Sequence, residues 1–318
     1  MATKLYLVIP CYNEEAVLPE TTRRLHDKMR ALMEAGTISF DSHVCLVDDG
    51  SKDQTWQMIE AFHRENPLFS GVKLSRNRGH QNALLAGLMT VKDRCDCVIS
   101  MDADLQDDID AIDRFLAAYE EGCDIVYGVR SSRETDTGFK RSTAQGYYKF
   151  MAMLGVEIVY NHADYRLMSR RALDALAEYK EVNLFLRGIV PLIGFKTATV
   201  EYARGERFAG ESKYPLKKML AFAFEGITSF SVRPIRLVLA AGVLMAVLAA
   251  IFFLWSLLGM LFGFFAPAWP AVVPSVFLTC GLELAAIGVV GEYVGRIYME
   301  VKGRPRFLID QFLDGDEA

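Results

Sequence analysis

The chain has 318 residues, 24% charged and 52% hydrophobic, with a formal net charge of −5. That length allows two units, and the negative balance, without a basic cluster interleaved with aromatics in the soluble part, argues against a nucleic-acid partner. Six cysteines at positions 11, 45, 95, 97, 123 and 280 form no C-x-x-C, a pattern that suggests no disulfide framework or zinc site and fits a reduced, cytosolic compartment.

The first half alternates strand-like and helix-like segments. Leu5–Ile9 reads as a strand; the run Lys4–Pro10 around it is too short for a signal peptide and passes into Cys11-Tyr12-Asn13-Glu14 before a helix over Ala16–Ala35. Strand His43–Val47 leads to Asp48-Asp49-Gly50-Ser51 and helix Gln54–Glu65. Strand Gly71–Leu74 leads to Asn77-Arg78-Gly79 and helix Gln81–Val91. Cys97–Met101 is the next strand, followed by helix Ile109–Glu121 and strand Ile125–Tyr127. This βαβα rhythm predicts an α/β fold, a mainly parallel sheet with helices on both faces.

In such sheets ligands bind beyond the carboxyl ends of the strands. There Cys97–Met101 ends in Asp102 and Asp104, separated by Ala103. Acids can simply start a helix, but two carboxylates one residue apart at a strand end repel each other. A hard divalent cation answers that repulsion, because Mg²⁺ and Mn²⁺ take oxygen ligands from one or two carboxylates and from substrate phosphates.

Beyond Tyr127 the rhythm changes. Gly138–Leu154 reads as a helix with basic residues, Ala163–Met168 as a short strand carrying Asp164, Leu184–Ile193 as a short apolar helix, and Thr197–Tyr202 as a strand. A polar loop, Arg204–Lys213, leads into Pro215–Phe230. In that segment Leu216, Leu220, Phe224 and Ile227 recur at helical spacing, with Lys213, Lys217 and Lys218 near its start. Such a helix can lie in a membrane interface with its basic residues toward anionic headgroups.

The 46 residues from Leu237 to Leu282 contain no Asp, Glu, Lys or Arg, and they are broken near Pro267-Ala268-Trp269-Pro270. A span needs about 20 apolar residues, so two are expected, Leu237–Phe262 and Ala271–Val290. Arg233 and Arg236 precede the pair, and Arg296, Lys302, Arg304 and Arg306 follow it. The excess of basic residues on that side places both termini in the cytoplasm. The expected organisation is a catalytic domain over 1–213, an interfacial helix over 214–236, a two-span hairpin over 237–294 and a cytoplasmic tail over 295–318. Glu283 inside the second span is costly. It pairs with another subunit, stays protonated or faces a polar groove; a homo-oligomer is expected.

Seven motifs stand in order: V-I-P-C-Y-N-E-E (8–15), V-D-D-G-S-K-D (47–53), N-R-G-H-Q-N-A-L-L-A-G (77–87), D-A-D-L-Q-D-D (102–108), Y-G-V-R (127–130), D-Y-R-L-M-S-R (164–170) and R-F-A-G-E-S-K-Y (207–214). With the two spans and G-E-Y-V-G-R-I-Y (291–298), the chain resembles the polyprenyl-phosphate glycosyltransferases of glycosyltransferase family 2, in their two-span bacterial branch. The resemblance covers nearly the whole chain. It implies a GT-A fold, a nucleotide-sugar donor, Mg²⁺ or Mn²⁺, a polyprenyl phosphate acceptor, inversion at the anomeric carbon and a bacterial inner-membrane location.

Residue by residue, the resemblance gives Pro10, Tyr12, Glu14, Asp48 and Asp49 to the nucleoside, with Arg76 beside them. Asp102 and Asp104 go to metal and diphosphate, with Gln106 close by. Asp164 takes the family's acidic position near the reacting centre. Arg130 faces the acceptor phosphate, joined by Arg141 in the basic 140–149 segment, while Arg204 and Arg207 bind phosphates from a loop. The first assignment of donor is UDP-glucose, with a modified arabinose or GDP-mannose as alternatives.

An acceptor phosphate is already anionic and needs little deprotonation, so Asp164 need not be a strong base and can instead orient the acceptor, the sugar or a basic residue. Two anions must meet, which calls for arginines. A processive polysaccharide synthase is disfavoured because Trp56, Trp255 and Trp269 are not preceded by Arg, so no Q-x-x-R-W exists. A non-catalytic membrane-anchored nucleotide-binding module is disfavoured by Asp102, Asp104 and Asp164.

Overall fold

β1 (Leu5–Cys11), β2 (His43–Asp48) and β4 (Cys97–Ser100) are buried along their whole length. Parallel strands covered by helices on both faces read in this way, as continuous apolar runs. The computed structural model describes residues 2–130, 162–182, 185–203, 233–261 and 269–315. The 140–149 basic segment, the 204–213 loop and the 215–230 helix, with Arg141, Arg204 and Arg207, lie outside the described residues.

Between these strands run α1 (Leu18–Glu34), α2 (Thr55–Glu65), β3 (Phe69–Leu74), α3 (His80–Val91) and α4 (Ala111–Glu120). Then come β5 (Ile125–Arg130), β6 (His162–Ser169), α5 (Arg170–Ala177), α6 (Leu186–Leu192) and β7 (Thr197–Tyr202). The helices α7 (Arg233–Leu261) and α8 (Trp269–Lys302) precede a last strand, β8 (Ile309–Leu313). One eight-stranded sheet runs in the order β7-β5-β6-β4-β1-β2-β3-β8. β1 pairs in parallel with β2 and β4, β2 with β3, and β5 with β7. β6 inserts antiparallel between β4 and β5, and β8 caps the β3 edge antiparallel.

The predicted alternation holds, with shifted ends. α1 starts at Leu18, two residues later than expected, with a proline at its start, where the missing N–H costs nothing. β5 runs on to Arg130, three residues past the expected end, because β7 pairs with it as far as Tyr202. β8 was not expected; its residues are partly exposed, and the sequence there shows no apolar run.

α3 lies close against the sheet. A Cβ on Gly87 would sit 2.5 Å from Val8 Cγ1 and 2.6 Å from Val47 Cγ2, on two buried strands. Gly87→Ala should therefore lower stability by about 1–3 kcal/mol through overpacking. A denaturation midpoint equal to wild type would refute that close approach.

By contacts the chain forms two units. One comprises Met1–Lys149, Glu157–Pro215 and Arg304–Ala318; the other comprises Phe150–Val156 and Leu216–Gly303. In the second unit α7 has 29 residues and α8 has 34, and they fall where the two apolar spans were expected. Among the described residues no helix is long and apolar enough to cross a membrane. That leaves the two-span hairpin resting on the sequence alone.

Candidate active site

The register explains how distant acids meet. Ser100 at the end of β4 pairs with Arg166 on antiparallel β6. Asp102, two residues after Ser100, and Asp164, two residues before Arg166, therefore lie together beyond the carboxyl end of β4. Ser100 Oγ donates to the Asp164 carbonyl at 2.6 Å and fixes the junction.

The neighbouring loops are clipped to one another. Asn13, with φ of 55°, donates its N–H to Ser51 Oγ (3.0 Å) and accepts from the Lys52 N–H (2.8 Å). Glu14 donates its N–H to Thr55 Oγ1 at 2.9 Å. Asp49 is buried, and its carboxylate accepts the N–H groups of Arg78 (2.6 Å) and Gly79 (2.9 Å), so it shapes the loop after β3. Asp48 Oδ1 accepts the Ser51 N–H at 3.2 Å, whereas its buried Oδ2 has no hydrogen-bond partner among the described residues. Burial pushes both carboxyls up. Pro10 is a buried strand residue paired with Val47, and Tyr12 stands 42% exposed just past it. Arg76 reaches this group through its backbone, since a Cβ on Gly50 would touch Arg76 C at 2.7 Å. Pro10, Tyr12, Glu14, Asp48, Asp49 and Arg76 are thus brought to one end of the sheet.

The D-A-D turn folds back on itself. Asp104 Oδ1 accepts the Gln106 N–H at 3.2 Å, Leu105 takes φ of 58°, and the Asp102 N–H points at Asp107 Oδ2 at 3.5 Å. Asp107 is buried and accepts from the Tyr202 hydroxyl at 2.6 Å. Arg130 Nε donates to that hydroxyl at 3.2 Å, and Arg130 Nη2 lies 3.5 Å from Asp107 Oδ1. Arg130, expected at the acceptor phosphate, is therefore held in place by a buried carboxylate and a tyrosine.

Asp164 is held by more cations than the sequence suggested. Its Oδ1 accepts from Arg166 Nη2 (2.8 Å) and Arg187 Nε (3.2 Å), and its Oδ2 from Arg187 Nη2 (3.1 Å). His80 Nε2 lies 3.5 Å from Asp164 Oδ2 and 3.6 Å from Asp102 Oδ1, bridging the two acids. Burial works against the Asp164 charge, yet His80, Arg187 and Arg166 together hold its carboxyl well below the usual carboxylate range. The same carboxylates raise His80 against the effect of burial. His80 and Arg166 stood inside motifs and Arg187 in N-L-F-L-R-G, but nothing in their spacing announced a shared partner.

Asp102 behaves in the opposite way. Burial pushes it up to about 6; His80 opposes the shift, and Asp107, Asp164 and Asp104 add to it. The charged form of Asp102 is thus opposed by burial and by three neighbouring carboxylates. Among the described residues no group of three or more His, Cys, Asp or Glu side chains could hold a metal ion alone. A pair of carboxylates at a strand end, Asp102 and Asp104, instead suits a hard cation that takes its other ligands from substrate phosphates and water.

The profile of glycosyl transferase family 2 matches residues 6–177, more than half of the chain. An uncharacterized glycosyltransferase of Bacillus subtilis, YkoT, is 53% identical over 306 residues, covering 96% of this chain and 91% of that protein. The bactoprenol glucosyl transferase of Shigella phage SfX is 37% identical over 311 residues, covering 96% and 98%. Glucosyl-3-phosphoglycerate synthase of Mycobacterium tuberculosis, solved with Mn²⁺ and UDP, is 20% identical, with a TM-score of 0.46 over 71% of this chain and 76% of that one. That likeness is too distant to bear on ligands here. With the family profile matched and relatives aligned along nearly their whole length, this chain belongs to glycosyl transferase family 2.

Proposed function

We propose that this glycosyltransferase moves a sugar, glucose from UDP-glucose in the first instance, onto polyprenyl phosphate at the cytoplasmic face of the bacterial inner membrane. The observation that carries the reading is the meeting at one strand end of Asp102, Asp164 and two side-anchored guanidiniums, Arg130 and Arg187. That arrangement suits a reaction between two phosphate-bearing partners. The relationship to bactoprenol glucosyl transferases supports the lipid phosphate and the glucose.

An oxygen of the acceptor phosphate attacks the anomeric carbon in line. The bond from that carbon to the diphosphate breaks, and its electron pair leaves with the nucleoside diphosphate. The product is an inverted sugar–phosphate–lipid. No proton has to be removed from the nucleophile, which suits an Asp164 whose charge is fully used in ion pairs. Asp102 and Asp104 would hold Mg²⁺ or Mn²⁺, which neutralises charge on the departing diphosphate.

The membrane part of this reading rests on the uncharged Leu237–Leu282 stretch and its flanking basic residues. Large exposed apolar side chains on α7 and α8, including Leu237, Leu239, Leu284 and Ile287, support it, since a membrane would cover such side chains. The proposed organisation is catalytic residues 1–213, an interfacial segment 214–236, a membrane hairpin 237–294 and a cytoplasmic tail 295–318.

Mass spectrometry of the lipid product, after incubation with polyprenyl phosphate and a panel of sugar nucleotides, tests the reading. A sugar monophosphate-lipid with release of nucleoside diphosphate is expected. A sugar diphosphate-lipid with release of nucleoside monophosphate would overturn it, as would transfer to a soluble sugar or protein hydroxyl without lipid phosphate.

A further inference from the structure

Asp164 has more positive partners than neutralisation needs. Arg166, 2% exposed, is an internal counter-ion at 2.8 Å. Arg187 is different: its side chain is 33% exposed, and it presents Nε and Nη2 side-on to the two Asp164 oxygens at 3.2 and 3.1 Å. A guanidinium has five N–H donors in a rigid plane, and a side-on carboxylate takes two of them. The planar fork then directs its other donors away from Asp164.

The backbone carrying Arg187 is pinned as well. Gln81, next to His80 on α3, accepts the Leu186 N–H at 2.8 Å. Arg130 is built in the same way, held by Tyr202 and the buried Asp107. β5 pairs with β6 as far as Val129 opposite His162, so Arg130 at the end of β5 and Asp164 near the start of β6 lie at the same end of the sheet. Each guanidinium is thus held by an acid of its own, Arg130 by Asp107 and Arg187 by Asp164, so both are fixed in place before a further anion arrives.

We propose that Arg187 is the second arm of the acceptor-phosphate site, gripping the phosphate opposite Arg130, and that Asp164 serves as the residue that positions it. This rests on the lipid-phosphate acceptor proposed above. The ligand recognised is the phosphate monoester headgroup, whose charge two forked donors match better than one.

Full-length enzyme in detergent, with a short-chain polyprenyl phosphate as acceptor probe, provides the test through Arg187→Gln and Arg187→Lys. Asp164 keeps Arg166 and His80 in both variants, so both should fold. For Arg187→Gln the acceptor KM should rise roughly tenfold to a hundredfold, as loss of a charge-assisted contact implies, while the donor KM stays within about twofold. Guanidinium ion added to Arg187→Gln should restore part of the acceptor affinity, which a purely structural role would not allow. Should the Gln variant melt early, Arg187→Lys, which keeps the charge and loses the fork, must show the same split between acceptor and donor. A raised donor KM with an unchanged acceptor KM would overturn the proposal by giving Arg187 to the diphosphate, and so would unchanged values for both. Wild-type enzyme that ignores lipid phosphate would overturn the proposed reaction as well. An active wild type with unaffected variants would overturn the assignment of Arg187 alone.

Discussion

Asp102→Asn and Asp104→Asn should each lower kcat/KM by about two to four orders of magnitude, the equivalent of several kcal/mol of lost charge stabilisation. Both side chains leave β4 within four residues of Ser100. Their position is set by the strand and by the Asp104–Gln106 turn, so little else should move. Asp102 is raised to about 6 in the folded protein by burial, despite His80. A group raised in this way binds protons more readily folded than unfolded, so its ionisation opposes folding as pH climbs through about 4 to 6. Removing that charge should leave the thermal midpoint at pH 7 unchanged or higher. Lost activity with retained stability is the signature of a site charge. If both variants turn over normally in the presence of a chelator, the assignment of a metal to these residues fails.

Asp164→Asn should be costly twice over. The substitution leaves Arg166 charged and 2% exposed with its carboxylate partner gone, and breaking a buried pair from one side typically destabilises by about 3–5 kcal/mol. Arg166→Met should cost much less, because Asp164 keeps Arg187 and His80. Urea titrations of the two variants decide this; equal losses would refute the cluster as described. Activity should fall in Asp164→Asn through kcat and the acceptor KM more than through donor affinity, since Arg187 loses the carboxylate that orients it toward the acceptor phosphate. The native Asp164 charge is held far below the ordinary carboxylate range. Its contribution to stability is therefore complete above about pH 4 and disappears only as acid reaches the lowered folded value.

The fold of the first 130 residues was legible because buried parallel strands leave unbroken apolar runs. Leu5–Ile9 and His43–Val47 could hardly be anything else. The direction of β6 was not legible, since an eight-residue strand such as His162–Ser169 reads the same whichever way it pairs. That direction brings Asp164 to Asp102. Motifs found Asp102, Asp104 and Asp164 because each stands in a short recognisable string. They missed the roles of His80, Arg166 and Arg187, whose shared partner depends on three elements 84, 2 and 23 residues away from Asp164 converging in space. Asp107 was hidden among four acids in seven residues, where only burial and the Tyr202 hydroxyl single it out.

β8 also bears on how the protein is made. Its pairing with β3 joins residues 309–313 to residues 71–74, and Arg94 is paired with Asp314 just beyond it. The border of the sheet is thus supplied by residues made long after the strand they cover. Until they emerge, β3 remains an open template of unpaired N–H and C=O groups. That interval includes synthesis of the whole apolar Leu237–Leu282 stretch, at the rate of a few residues per second or more at which chains grow. Handling of the nascent chain is therefore built into the topology: the sheet has to wait, with the β3 edge bare, for a strand made after the apolar stretch.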